Sequence, residues 1–388
     1  MTEIPGLKRE TTDKMMYEIY RDNIDNDFAP WKGRSYNLRD LYVMLSQLHS
    51  KRDPGPYRSV ILVKGGQVYD LPLVENYGRN RVALRRIKSL AGGLQNGSAE
   101  GVTIPDTVFL ISMRDHPYCH IRGHECKVPT FAIIKRWNFT RNTSDYLDVL
   151  LPQYTHVYDQ LVFYPWEKKH DKALMRASLR SRMTLNSTRQ WLAELPWRHT
   201  EAAALLDTGL TKNEQKKTCK MQIVDSVSIP EHARWKYLFA TDGITASSRL
   251  GKLLGINSVV VKEDSLWIEY YYRSLVPNTH YVPFNKDNVL EVLHKLRNNP
   301  DHCRRIAANA QRFSYTFLSQ TSKNLYVRQA VRIYNSLVPD IKEFMQTLQI
   351  GSPVGGSGGD KTAIPALTLE GLLEQLAAFV KDRLPDMK

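Results

Sequence analysis

Several absences bound this 388-residue chain before any motif is read. No run of about 18 apolar residues occurs, which excludes a membrane-crossing helix. The first 23 residues alternate charges and hold no apolar core, so no signal peptide is recognisable and this form reads as soluble and unaddressed, which leaves a cytoplasmic place as one alternative. Cysteine is scarce. Cys119, Cys126, Cys219 and Cys303 are too few for a disulfide scaffold, although one or two bridges fit. Zinc-finger spacing, RNP-like aromatic segments and a helix-turn-helix signature are all missing.

What is present is an ordinary globular composition, 42% hydrophobic and 24% charged, which excludes collagen-like, coiled-coil and largely disordered chains. The length suggests two or three domains with substantial cores. Lys plus Arg number 54 against 40 Asp plus Glu, a formal charge of +14. Such an excess suits nucleic acid, an anionic surface or an anionic small molecule. The basic residues are spread along the chain, with a mild concentration of 12 Lys/Arg against 6 Asp/Glu in residues 166–220, a weak sign of DNA binding.

Strand and helix signals alternate. Residues 38–48 have helical spacing, and Arg58-Ser-Val-Ile-Leu-Val-Lys64 reads as a strand ending at the turn Gly65-Gly66. Residues 79–94 predict a basic helix, followed by a glycine loop to Gly101. Thr107-Val-Phe-Leu-Ile-Ser-Met113 is a nearly continuous apolar run, the kind of strand covered on both faces in a parallel sheet. Further strands are expected at 129–134, 173–175, 235–240 and 257–262, and helices at 245–254, 287–297 and 301–318. This alternation predicts α/β units on parallel sheets. Residues 351–359 are Gly/Ser-rich, a flexible linker by composition. Beyond them, leucines at helical spacing predict an amphipathic helix over 368–384 that docks on the body.

The stretch Glu231-His-Ala-Arg-Trp-Lys-Tyr-Leu-Phe-Ala-Thr-Asp-Gly-Ile-Thr-Ala-Ser-Ser-Arg249 concentrates the chemistry. A strand leads through Gly243 to hydroxyls and an arginine at the start of a helix. Unpaired N–H groups there suit a phosphate, Ser247 and Ser248 can donate, and Arg249 can pair bidentately. Asp115, in Arg114-Asp-His-Pro117 just past an apolar strand, is either a turn-capping carboxylate or a base at a sheet's carboxyl end. Cys119-His-Ile-Arg-Gly-His-Glu-Cys126 leaves a disulfide, free thiols and zinc open. Asn138, Asn142 and Asn186 begin glycosylation sequons.

Taken together, Trp235-Lys-Tyr-Leu-Phe-x-x-x-Gly243-x-x-x-Ser247-x-Arg249, Trp267-Ile-Glu269-Tyr-Tyr-Tyr272, Leu275-x-Pro277-x-x-His280-Tyr281-Val-Pro283, Met113-Arg-Asp-His-Pro117 and Pro129-Thr-Phe131 resemble the CAP10-like glycosyltransferases of family 90. That family includes protein O-glucosyltransferases and fungal capsule xylosyltransferases. The motifs run in family order from about residue 105 to 340. The resemblance implies a GT-B architecture, with two Rossmann-like domains facing a cleft, and transfer with inversion and no obligatory metal or other cofactor. The donor would be a UDP-sugar, glucose or xylose most of all, and the acceptor a hydroxyl of a protein or glycan.

By resemblance Asp115 is the general base, beside Arg114, while Gly243, Ser247, Ser248 and Arg249 hold the diphosphate with Arg176 or Arg180. The choice between those two stays open, because Ala177 stands where the family carries glycine and Arg180 lies one position late. Glu231 would hold sugar hydroxyls and Glu269 ribose. The expected division is 1–165 for the base domain, 166–320 for the nucleotide-sugar domain, 321–350 for a helical segment, 351–362 for the linker and 363–388 for the terminal helix. The resemblance also implies the lumen of the secretory pathway, in contrast to the unaddressed amino terminus. The competing readings are a basic nucleic-acid-binding α/β protein and a catalytically silent sugar-binding member of the same fold.

Overall fold

The computed structural model describes residues 11–51, 57–74, 81–123, 126–156, 160–351 and 367–383. Apart from Gly351, the expected linker lies outside them, as do residues 79–80 of the expected basic helix. The chain forms two compact units. The first comprises Tyr20–Lys135, Thr143–Thr155 and Asn324–Lys388; the second comprises Met1–Ile19, Arg136–Asn142 and His156–Lys323. Both are α/β.

The first unit is built on a five-stranded sheet in the order Gln67–Pro72, Arg58–Lys64, Thr107–Ser112, Phe131–Ala132, Val149–Leu150. The last three strands are parallel, but Arg58–Lys64 runs antiparallel to both its neighbours, so the sheet is mixed. A tight turn sets the first of these two pairings. Gly65 and Gly66 both have positive φ, 56° and 79°, and join Lys64 to Gln67 as a two-residue hairpin, a geometry that glycine adopts without steric cost. Thr107–Ser112 is buried along its whole length, as its apolar run predicts. Phe109, Phe131 and Tyr334 pack edge to face over it, and the Tyr334 hydroxyl donates to the Val108 carbonyl.

The helix expected at 79–94 spans Arg81–Ala99, running through the glycines expected to form a loop. At Gly97 an added Cβ would lie 2.1 Å from the Asn324 side-chain nitrogen, so glycine serves close approach there rather than a turn. Helix Leu38–His49 is opened by a capping box between Asn37 and Asp40 and buries Leu41, Leu45 and Leu48. The terminal helix Leu369–Lys381, capped by Thr368, packs against it with Leu372, Leu376 and Phe379 buried. Gln375 and the Gln349 backbone exchange two hydrogen bonds at 2.7 and 3.0 Å.

The second unit carries a wholly parallel sheet in the order Val282–Phe284, Val259–Glu263, Trp235–Ala240, His170–Leu179, Leu206–Asn213. Trp235–Ala240 and Val259–Glu263 are largely apolar, and Tyr237, Phe239, Val259, Val261 and Phe284 contribute to its core. Leu206–Asn213 was not expected. It lies at the sheet edge, where Asp207, Thr208 and Lys212 are tolerated and blur the strand pattern. The helix expected over 245–254 covers only Arg249–Leu254, so residues 241–248 form an irregular turn after the strand.

Candidate functional site

In the first unit the buried strand Thr107–Ser112 delivers Met113, 1% exposed, then Arg114, which is exposed, and Asp115, which is partly exposed. The Asp115 carboxylate is met by Arg86 from helix Arg81–Ala99, with Nη2 at 2.6 Å from Oδ1. Below it, Asp148 accepts hydrogen bonds from the Tyr118 and Cys119 amides, the latter at 2.7 Å, and from the Thr130 hydroxyl. That anchors the chain just beyond the Asp115 bend. Burial outweighs these bonds and pushes the Asp148 carboxyl up to about 6. Cys119 is joined to Cys126 by a disulfide, with Cα atoms 5.9 Å apart, which resolves the Cys/His segment in favour of a bridge. Among the described residues no group of three or more His, Cys, Asp or Glu side chains is arranged to hold a metal ion.

In the second unit the turn 241–248 follows the central strand at its carboxyl end, where open parallel sheets bind ligands. Two guanidiniums are held there by backbone carbonyls. Arg189, from the first turn of helix Thr188–Arg198, donates to the Ser178 carbonyl at 3.0 Å and the Thr241 carbonyl at 3.2 Å. Arg249 donates to the Arg176 carbonyl. Burial first, and then the charge of Arg249, push Arg189 down to about 10. Arg249 is likewise lowered by burial. Gly243 lies close beside Arg189, where an added Cβ would come within 3.3 Å of Nη2, a tight approach.

Two carboxylates balance these cations. Glu263 accepts from the Thr188 hydroxyl at 2.5 Å and from the Asp242 amide at 2.8 Å, and Ser265 donates to Asp242. Burial raises both carboxyls, and Asp242 raises Glu263 further. Ser248 Oγ lies 2.9 Å from His156 Nε2, and the Ser247 carbonyl accepts from the Tyr272 hydroxyl at 3.2 Å. The chain thus gathers Gly243, Ser247, Ser248 and Arg249 at one strand end.

The other expected residues are engaged differently. Arg176 projects from strand His170–Leu179 and pairs with Asp207, with Nη2 2.7 Å from Oδ1, while Nη1 donates to the Asp207 carbonyl at 2.8 Å. Arg180, just past that strand and half exposed, pairs with Glu214 at 2.8 Å. Glu231 is exposed and accepts from the Ser228 amide and hydroxyl, which lower its carboxyl. Its buried neighbour His232 is lowered by burial and also feels the positive charges of Arg249 and Arg176. Glu269 is 1% exposed and precedes the edge-to-face rings of Tyr270, Tyr271 and Tyr272, a core position.

Sequence reasoning missed Arg86, Arg189, Asp242 and Glu263. The first carried a usable signal, its place in a basic helix. Asp242 sat inside the quoted motif without a role. Arg189 reaches the site from the start of a helix and Glu263 from a paired strand, placements that residue spacing does not encode.

The family model of glycosyl transferase family 90 matches residues 18–346. The chain is 28% identical over 266 residues to an O-glucosyltransferase rumi homolog of Aedes aegypti, covering 61% of this chain and 62% of that protein. It is 26% identical to protein O-glucosyltransferase 1 of Mus musculus over 62% of this chain and 64% of that one. With O-glucosyltransferase rumi of Drosophila melanogaster it shares 25% identity over 87% of this chain and 88% of the other. The aligned segments therefore span under two thirds of the first two relatives. With a family model covering most of its length, and motifs that fall on the strand ends just described, the chain belongs to glycosyl transferase family 90.

Proposed function

We propose that this protein is an inverting glycosyltransferase that moves one sugar, glucose or xylose, from a UDP-sugar to a hydroxyl of a protein or glycan. The names of the relatives, O-glucosyltransferases and a protein O-glucosyltransferase, support that reaction class and a protein acceptor. The carrying observation is that Arg189 and Arg249, from separate segments, are both held at the carboxyl ends of adjacent parallel strands, where the charge of one bears on the other. Two partly buried like charges repel, and a pyrophosphate between them relieves the repulsion. The reading assigns charge neutralisation to these arginines and to the hydroxyls of Ser247 and Ser248, without a metal ion.

Labour is divided between the units. Asp115 of the first takes the acceptor hydroxyl proton, the freed oxygen attacks the anomeric carbon, and the bond to UDP breaks with its electron pair leaving on the diphosphate. In the second, Arg249 and Arg189 stabilise that charge as it grows. Arg176 acts behind Arg249 by offering its carbonyl, and Arg180 and Glu231 border the region. The secretory lumen belongs to this proposal. The Cys119–Cys126 disulfide fits an oxidising compartment. Among the described residues no helix is long and apolar enough to cross a membrane.

A panel of UDP, UDP-glucose and UDP-xylose in a thermal-shift assay tests the donor site, since a ligand that binds only the folded state raises Tm. Arg249→Ala is expected to weaken UDP binding about 10- to 100-fold, the range for a lost charged hydrogen-bond donor. An unchanged Kd for UDP in that variant would remove Arg249 from the phosphate site. A wild-type Tm that ignores every uridine nucleotide would contradict the donor assignment.

A further inference from the structure

We propose that Arg86 is the positioning residue for the base, a role that rests on the reading of Asp115 given above. The guanidinium spans two acceptors at once. Nη1 donates to the Met113 carbonyl and Nη2 to Asp115 Oδ1, both at 2.6 Å. Met113 is 1% exposed at the end of a buried strand, so one end of this bridge is set in the rigid part of the sheet. The other end is the reactive carboxylate, whose side chain is 36% exposed against 15% for Arg86. The bridge converts an open bend into a defined carboxylate orientation.

The geometry divides the work between the two carboxylate oxygens. Arg86 engages Oδ1, and Oδ2 is the oxygen that receives the acceptor proton. Arg86 neither gives nor takes a proton; it restricts the side-chain torsions of Asp115 so that Oδ2 stays aimed. Misplacement of a reacting group by about 1 Å costs on the order of 100-fold in rate, so loss of the bridge acts on turnover and not on donor affinity. A planar fork is required to bridge two acceptors, and a lysine ammonium can satisfy the carboxylate charge with looser direction.

The test uses the full chain with UDP-glucose as the probe and UDP release as the readout. Arg86→Met is expected to lower kcat about 10- to 100-fold, with KM for UDP-glucose and the UDP-induced Tm shift unchanged. Arg86→Lys recovers part of the loss. Combined with Asp115→Asn, Arg86→Met adds no further loss, because there is no base left to orient. Wild-type kcat in Arg86→Met beside an inactive Asp115→Asn overturns the positioning role alone. A loss of the UDP-induced Tm shift in both Arg86 variants also overturns it, marking a general disruption. Full turnover in Asp115→Asn overturns the base assignment itself, and this inference with it.

Discussion

Asp115→Asn is expected to lower kcat for sugar transfer about 100- to 10,000-fold, the range contributed by a positioned general base, while UDP binds as in the wild type. The amide matches the carboxylate in shape and can still accept one hydrogen bond, but it cannot take the acceptor proton. Asp115 stands in the first unit, whereas Arg189 and Arg249 stand in the second, so the substitution leaves the phosphate contacts untouched. Single-turnover UDP release together with a UDP titration separates the two effects. A variant that turns over at the wild-type rate removes Asp115 from the chemistry. One that loses turnover and UDP affinity together places it in donor binding instead.

Lys135→Met is expected to destabilise the first unit by about 3–5 kcal/mol, as breaking a buried ion pair does when one partner is left behind. Lys135 Nζ lies 2.5 Å from Asp27 Oδ1, with the two side chains 2% and 0% exposed, and it also donates to the Asp148 carbonyl at 3.0 Å. Methionine fills the same volume and leaves the Asp27 carboxylate without its cation. Urea unfolding measures the loss, and the pH series carries the sign. The Asp148 carboxyl stands at about 6 in the folded protein, above its unfolded value near 4. The folded state therefore binds the extra proton between those values, and the stability this group contributes is present at low pH and lost as pH rises through about 6. Lys135 opposes that rise by stabilising the ionised form. The deficit of Lys135→Met is accordingly largest near pH 7 and smaller near pH 5. A deficit independent of pH would show that the cation does not bear on the carboxylates.

Local patterns were legible where one segment carries the whole signal. The apolar runs at Thr107–Ser112 and Trp235–Ala240 marked two strands, and the leucines of Leu369–Lys381 marked a docked helix. The glycines marked a turn in one place and misled in another. Gly65-Gly66 was read as a turn, but its positive φ values also return the chain antiparallel, whereas Gly92-Gly93 continue a helix. Lys135 shows the same limit, because a lysine after an apolar run reads as the solvent end of a strand until Asp27 is brought against it.

By itself the sequence determined the α/β class, the bend carrying Asp115 and the turn at Gly243 after its strand. Each depends on residues close together in the chain, whose periodicity and backbone preferences act locally. Only the tertiary structure decided that Arg86 holds Asp115, that Asp207 occupies Arg176, and that Arg189 stands beside Arg249. These pairs join distant segments through strand order and helix placement. A charged side chain's partner is chosen by that packing, in which burial strengthens whichever opposite or like charge comes near.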